Sequence, residues 1–165
     1  MNGDVFTLEQ VRVFLFLYLI QSLLLIYVGL GFFNKHIPLP RLLMEGILFS
    51  SSLWVVRYLY NFFSIPFGTH TIILVILLIL FHRFLSGVNW GIAVAASLIG
   101  MILVLLGGTV SQLLVKGLGL TGEQILGNPW LHVLMGSIEN VFLFIAFIVI
   151  KFFKFNVIKS LDLSE

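Results

Sequence analysis

The chain has 165 residues, of which 60% are hydrophobic and only 10% are charged, and its mean hydropathy is +1.15. These values exclude a water-soluble globular protein. The net charge of +2 with scattered basic residues excludes a nucleic-acid-binding surface, and the absence of cysteine excludes disulfides, thiolate nucleophiles and iron–sulfur clusters. The composition therefore predicts a membrane protein.

Apolar runs separated by polar or proline-containing breaks predict an all-α transmembrane bundle of about five spans. The predicted spans are residues 11–33, 42–62, 66–85, 91–115 and 131–153. The third run reaches 20 residues only when Pro66 is included, so a re-entrant third segment is the alternative. Acidic residues before the first run argue against a cleaved signal peptide. We expect one bundle domain, residues 1–153, and a short cytoplasmic tail, residues 154–165.

Two features of the later part of the chain predict local structure. Small residues recur in the fourth run, with Ala96 and Gly100 four positions apart, and this spacing favours close approach between helices. Thr121 followed by Gln124 is typical of a helix start. We therefore expect a short interfacial helix before Pro129.

The distribution of lysine and arginine predicts the orientation. With five spans and the C-terminus inside, the cytoplasmic segments carry six of the nine basic residues, and the outer half carries Arg12, Arg57 and Lys116. Because basic residues accumulate on the cytoplasmic side, an N-out, C-in arrangement is favoured. The expected location is the bacterial cytoplasmic membrane, as a multi-pass protein.

Three ionisable residues fall inside the predicted spans, where an unpaired charge is costly. Glu45 lies four residues from Arg41, so we expect it to reach the headgroups or to pair with that arginine. Arg57 and Glu139 are expected at similar depths in the outer half, facing each other as an ion pair. Such a pair would either fix helix register or take part in a ligand-responsive site.

Aromatic and polar residues near that level form the candidate site. The candidate ligand-binding residues are Arg57, Phe67, His70, Trp130, His132, Glu139 and Asn140. An aromatic belt at the interface is the simpler explanation of Phe67 and Trp130, and packing is the default role of Gln21, Gln112 and Asn140. Two isolated histidines without a carboxylate cluster do not indicate a metal site.

Enzymatic motifs are absent from the sequence. There is no HExxH, no GxSxG and no phosphate-binding glycine loop, and Glu139 followed by Asn140 is not the paired-glutamate motif of intramembrane CAAX-type proteases. We therefore expect no enzymatic activity, no catalytic residue, no metal and no cofactor.

Residues 53–76 and 120–147 resemble the multi-pass membrane region at the N-terminus of bacterial sensor histidine kinases of the sporulation and citrate-sensing type. In those proteins an arginine near the end of the second span precedes a Pro-Phe-Gly-x-His-like turn, and an Asn-Pro-Trp-like turn precedes the last span. The matching residues here are Arg57, Pro66, Phe67, Gly68, His70, Asn128, Pro129 and Trp130. No kinase motif follows Phe153. The resemblance therefore implies a membrane input module that signals through its fifth helix.

The expected partners are the lipid bilayer, a cytoplasmic histidine kinase or other signalling protein, and a second copy of the chain. Two other classes remain open. A substrate-binding membrane subunit of a vitamin-type importer would dock its transporter through the small residues of the fourth span. A structural or assembly protein would bind no ligand and would tolerate changes at Arg57 or His70.

Overall fold

The protein is described by a computed structural model covering residues 8–63, 69–155 and 157. The described residues form α-helices and one π-helical segment, with no strand among them. The helices are α1 Leu8–Val13, α2 Ile20–Gly31, α3 Leu39–Phe63, α4 Thr69–Phe84, α5 Trp90–Gly117, α6 Gly122–Gly127, α7 Pro129–Glu139 and α8 Val141–Phe153, and the π-helical segment Phe14–Leu19 joins α1 to α2. The all-α prediction is confirmed for this part of the chain.

Three helical stretches of the described chain are long and apolar enough to cross a membrane: Val11–Gly31, Leu39–Leu59 and Trp90–Gly117. Helices α7 and α8 together make a fourth candidate, but they are bent by 50° at the break between them. Helix α4 has 16 residues, about 24 Å at ~1.5 Å per residue, against about 30 Å of hydrocarbon. The described chain thus has three to four candidate spans, and the third predicted run forms an apolar helix that is shorter than the three candidate spans.

The outward faces of α4 and α5 carry many large apolar side chains. Ile72 and Ile76 on α4 are exposed, as are Leu98, Ile102 and Leu113 on α5. A soluble protein rarely exposes apolar surface on this scale, whereas lipid hydrocarbon covers it without cost. The surface of the bundle therefore fits a membrane along both helices.

Helices α3 and α4 pack antiparallel through two matching stripes. Residues four apart lie on one face of a helix. The stripe on α3 is Glu45, Phe49, Leu53 and Arg57, and the buried stripe on α4 is His70, Leu74, Leu78 and His82. Glu45 near the start of α3 contacts His82 near the end of α4, which fixes the antiparallel direction. We call the two ends of the bundle the Glu45 end and the Arg57 end.

Helix α5 is the centre of the bundle, because small residues let its neighbours approach closely. A Cβ atom added to Gly29 of α2 would lie 2.7 Å from the carbonyl oxygen of Ala96. A Cβ atom added to Gly107 would overlap the backbone of Glu139, and Ser111 Oγ donates a hydrogen bond of 3.1 Å to the carbonyl oxygen of Met135. The close approach expected from the small residues of the fourth run is confirmed.

The connection between α5 and α7 follows its capping residues. Thr121 and Gln124 form a reciprocal capping box at the start of α6. The Asn128 side chain accepts hydrogen bonds from the first backbone amides of α7, and Pro129 occupies the first helical turn. The short helix predicted before Pro129 is confirmed.

The contact at Gly107 predicts a specific packing defect. We expect Gly107→Ala to lower the free energy of unfolding by about 1–3 kcal/mol, because the added methyl group forces α5 and α7 apart. Gly108→Ala is the matched control, since nothing lies within 4 Å of a Cβ atom there and alanine is the better helix former. Thermal unfolding in detergent measures both. Equal stability of the two variants would contradict the close contact.

Candidate functional site

Two cavities lie at the Arg57 end of the bundle. The α4 cavity, of about 330 Å³, is lined by residues of α2, α3, α4 and α5 and by the end of α7, and its polar lining includes Gln21, His70 and Thr109. The α6 cavity, of about 310 Å³, lies between α5, α6 and α7 and includes His132 in its lining. Arg57, Gln112 and Glu139 line both cavities. These three side chains therefore form the polar wall that the two cavities share.

Arg57 is held by an aromatic side chain. Its Nη1 atom donates a hydrogen bond of 3.1 Å to Tyr18 Oη, and its guanidinium carbon lies 4.9 Å from the centre of the Tyr18 ring. Tyr18 belongs to the π-helical segment, where the wider turn shifts the side chains around the helix axis. This irregular turn brings the Tyr18 side chain to the guanidinium. Sequence analysis did not single out Tyr18.

The expected ion pair between Arg57 and Glu139 is not formed in the part of the chain that the structure describes. Tyr18 engages the guanidinium, while Glu139 is the last residue of α7, and its backbone is held against Gly107. The two charged side chains line the same cavities without contacting each other. The prediction of a shared level in the bundle agrees with this geometry, but the prediction of a direct contact was wrong.

The other predicted site residues divide between the cavities and the bundle surface. His70 is buried and lines the α4 cavity, and His132 lines the α6 cavity. Trp130 is 56% exposed and packs on Phe16 and Arg12, away from both cavities, as a belt residue would. Phe67 lies outside the described residues.

Asn140 marks the break between α7 and α8 and does not line either cavity. It is only 2% exposed, and within the described residues its Oδ1 atom has no hydrogen-bond partner. The 50° bend occurs at this residue, so Asn140 links Glu139 of the polar wall to the start of α8.

A second polar cluster lies at the Glu45 end. His82 Nδ1 lies 2.7 Å from Glu45 Oε1, and Ser86 Oγ donates a hydrogen bond of 2.5 Å to Glu45 Oε2. Glu45 and His82 are both fully buried. The expectation that Glu45 reaches the headgroups or pairs with Arg41 was wrong, because His82 in the last turn of α4 and Ser86 just after that helix reach its carboxylate inside the bundle.

This cluster has the wrong connectivity for nucleophilic catalysis. A serine nucleophile needs a histidine base at its hydroxyl, whereas Ser86 donates to the carboxylate. In the described structure the His82 Nε2 atom is buried without a hydrogen-bond partner. Nor do three His, Asp or Glu side chains come together as a metal site anywhere in the described residues. The geometry of the cluster therefore indicates a structural role, as a buried contact that joins α3 to α4.

Comparison with known proteins gives no match, because no family model, no curated protein and no solved structure is significantly similar to the chain. The geometry of the two polar regions is therefore the basis for the functional argument.

The residues Glu45 and His82, and the residues Arg57 and Glu139, predict different results in double-mutant cycles of unfolding free energy. Glu45→Gln and His82→Leu should each destabilise the protein, with a coupling of about 0.5–3 kcal/mol, because their side chains are in contact. The cycle with Arg57→Gln and Glu139→Gln should show a smaller coupling, because these two side chains line the same cavities but form no ion pair in the described structure. Strong coupling in the second cycle and additivity in the first would contradict this assignment.

Proposed function

We propose that the chain is an integral membrane input module that binds a small amphipathic ligand at the Arg57 end and signals through α8. The observation that carries the proposal is the polar wall of Arg57, Gln112 and Glu139 shared by two cavities. Arg57 and Glu139 are half-buried and Gln112 is exposed. Charged groups at membrane depth are costly, and they commonly mark functional sites in membrane proteins.

The linings of the cavities supply complementary chemistry for such a ligand. Leu25, Leu53 and Met101 contribute apolar surface to the α4 cavity. Volumes of about 310 and 330 Å³ lie at the lower end of the range for small-molecule sites, roughly 300–1,000 Å³. Arg57 favours an acidic group of the ligand, and Glu139 accepts a hydrogen bond from a donor group.

The placement of Glu139 supports the proposed signal output through α8. This residue ends α7 beside the polar wall, and the bend at Asn140 leads directly into α8. Helix α8 packs on α2, where Tyr27 and Phe147 have ring centres 5.2 Å apart, and on α5. A ligand that favours one bend angle would shift the packing of α8, with coupling of typically about 1–3 kcal/mol. A cytoplasmic histidine kinase or another signalling protein is the proposed receiver, and a dimer of the chain is the proposed signalling unit.

The importer alternative is less well supported. It requires the small residues of the fourth run to dock a transporter, yet Ala96, Gly100 and Gly107 are buried against neighbouring helices of the same chain. A purely structural protein gives no reason for two cavities to share charged side chains. The input-module proposal explains both observations.

The proposed topology has five membrane crossings, N-out and C-in, with α4 counted as a short crossing and α7 and α8 together as one. Reporter fusions after Glu165 and in the α5–α6 connection, residues 118–121, should then report opposite compartments. The basic residues concentrated at the Glu45 end support this orientation. The same compartment for both fusions would contradict it.

The functional test joins the C-terminal tail to a kinase reporter and measures output under varied envelope conditions. Arg57→Ala, His70→Ala and His132→Ala should each change the response, because all three side chains line the cavities. Glu123→Ala is the matched control, an exposed charged residue on α6 that lines neither cavity. Output identical to the native chain for all three variants, at equal expression and stability, would favour a structural role.

A further inference from the structure

A third cavity lies at the Glu45 end, independent of the site at Arg57. Its volume is about 420 Å³, and it lies between the ends of α2 and α8. We call it the tail cavity; its lining consists of Tyr27, Gly31, Asn34, His36, Ile150, Lys151, Lys154 and Phe155. Three of these side chains carry basic groups, and none is acidic.

The tail cavity is formed by a sharp reversal of the chain after α8. Lys154 adopts the left-handed conformation with φ of 52°, and the residues that follow it contact Phe32 at the end of α2. Val157 N then donates a hydrogen bond of 2.8 Å to Phe32 O, and the Phe155 ring packs edge-on against Phe32 at 6.1 Å. The reversal holds Lys154 and Phe155 at the cavity.

The lysines at this cavity are not used to cap α2. The last turn of α2 satisfies its own carbonyl groups, since Leu30 O accepts hydrogen bonds from Phe33 N and Lys35 N, and Gly31 O accepts one from Asn34 N. Within the described residues, Lys151 and Lys154 form no ion pair and no hydrogen bond, so no group in that part of the chain occupies the donors of either ammonium group.

The depth of the tail cavity matches the headgroup level of a membrane. Gly31 ends one candidate span, and α8, the second half of the bent candidate span, ends at Phe153, so the cavity lies where two candidate spans end. Phe152 and Phe153 are exposed beside it, as interfacial aromatic residues are. Lys151 Nζ lies 5.3 Å from the centre of the Phe147 ring, which keeps a cation next to the apolar wall.

We propose that the tail cavity binds the phosphate group of an anionic phospholipid. The ammonium groups of Lys151 and Lys154 and the amide of Asn34 supply the donors for the phosphate oxygens. Tyr27 and Ile150 supply the wall along which an acyl chain runs. Basic pockets between helices on the cytoplasmic side have the charge and depth that such headgroups need. The occupied cavity holds the chain reversal against α2.

The test measures the affinity of the full chain, in neutral detergent, for phosphatidylglycerol by native mass spectrometry. We expect Lys151→Gln and Lys154→Gln each to weaken binding about five-fold, which is about 1 kcal/mol at about 1.4 kcal/mol per tenfold change. The double variant should lose more than either single change. Lys35→Gln and Lys116→Gln together are the matched control, because they remove the same charge at residues outside the cavity lining.

Three outcomes decide the proposal. Selective weakening by the cavity variants, with phosphatidylcholine bound weakly by every form, supports a built headgroup site. An equal loss in the control pair overturns it, because general surface charge then explains binding. Protection of the native chain against thermal unfolding by inorganic phosphate as strong as that by phosphatidylglycerol also overturns it, since the occupant would then be a soluble anion.

Discussion

The buried contact between Glu45 and His82 sets the register on which the rest of the structure depends. A carboxylate inside a membrane bundle is tolerated only where donors reach it, so α3 and α4 are held at the one position that brings His82 and Ser86 to Glu45. Arg57 lies 12 residues further along α3, about 18 Å at ~1.5 Å per residue, and the antiparallel register places His70 at the same cavity. The contact between Glu45 and His82 at one end of the bundle thereby positions Arg57 and His70 at the candidate site at the other end.

Helix α5 determines the remaining wall of that site. Because Gly107 carries no side chain, the end of α7 comes into backbone contact with α5, and Glu139 reaches the cavities that Arg57 lines. The cavities remain open between these charges because Arg57 is engaged by Tyr18 rather than by Glu139. Burial of small residues thus brings the backbones together, while the longer polar side chains keep a space between them.

Features that depend on the local sequence pattern were predicted from the sequence. Features that depend on which side of a helix faces the interior, or on contacts between distant residues, were missed. Hydropathy and proline breaks located the runs that became α3 and α5 within three residues of their observed ends, and the Thr121–Gln124 spacing predicted a helix. Tyr18 could not be found this way, because a π-helical turn changes which side chains face inward. The prediction for Glu45 was wrong because it considered only the distance of this residue from the membrane surface. Its partners, His82 on α4 and Ser86 after it, are some 40 residues away in sequence.

The bend at Asn140 gives the proposed function a physical route between the two ends of the bundle. Oδ1 of Asn140 is buried and, among the described residues, has no hydrogen-bond partner. No hydrogen bond to this oxygen therefore holds the angle between α7 and α8 in place. A ligand that engages Glu139 acts one residue from this break. The far end of α8 packs on α2 at Gly31, beside the tail cavity, where a bound headgroup would oppose or favour its displacement. The ligand and the lipid would then bias the same helix from opposite ends, and reciprocity of coupling requires that each alters the affinity for the other.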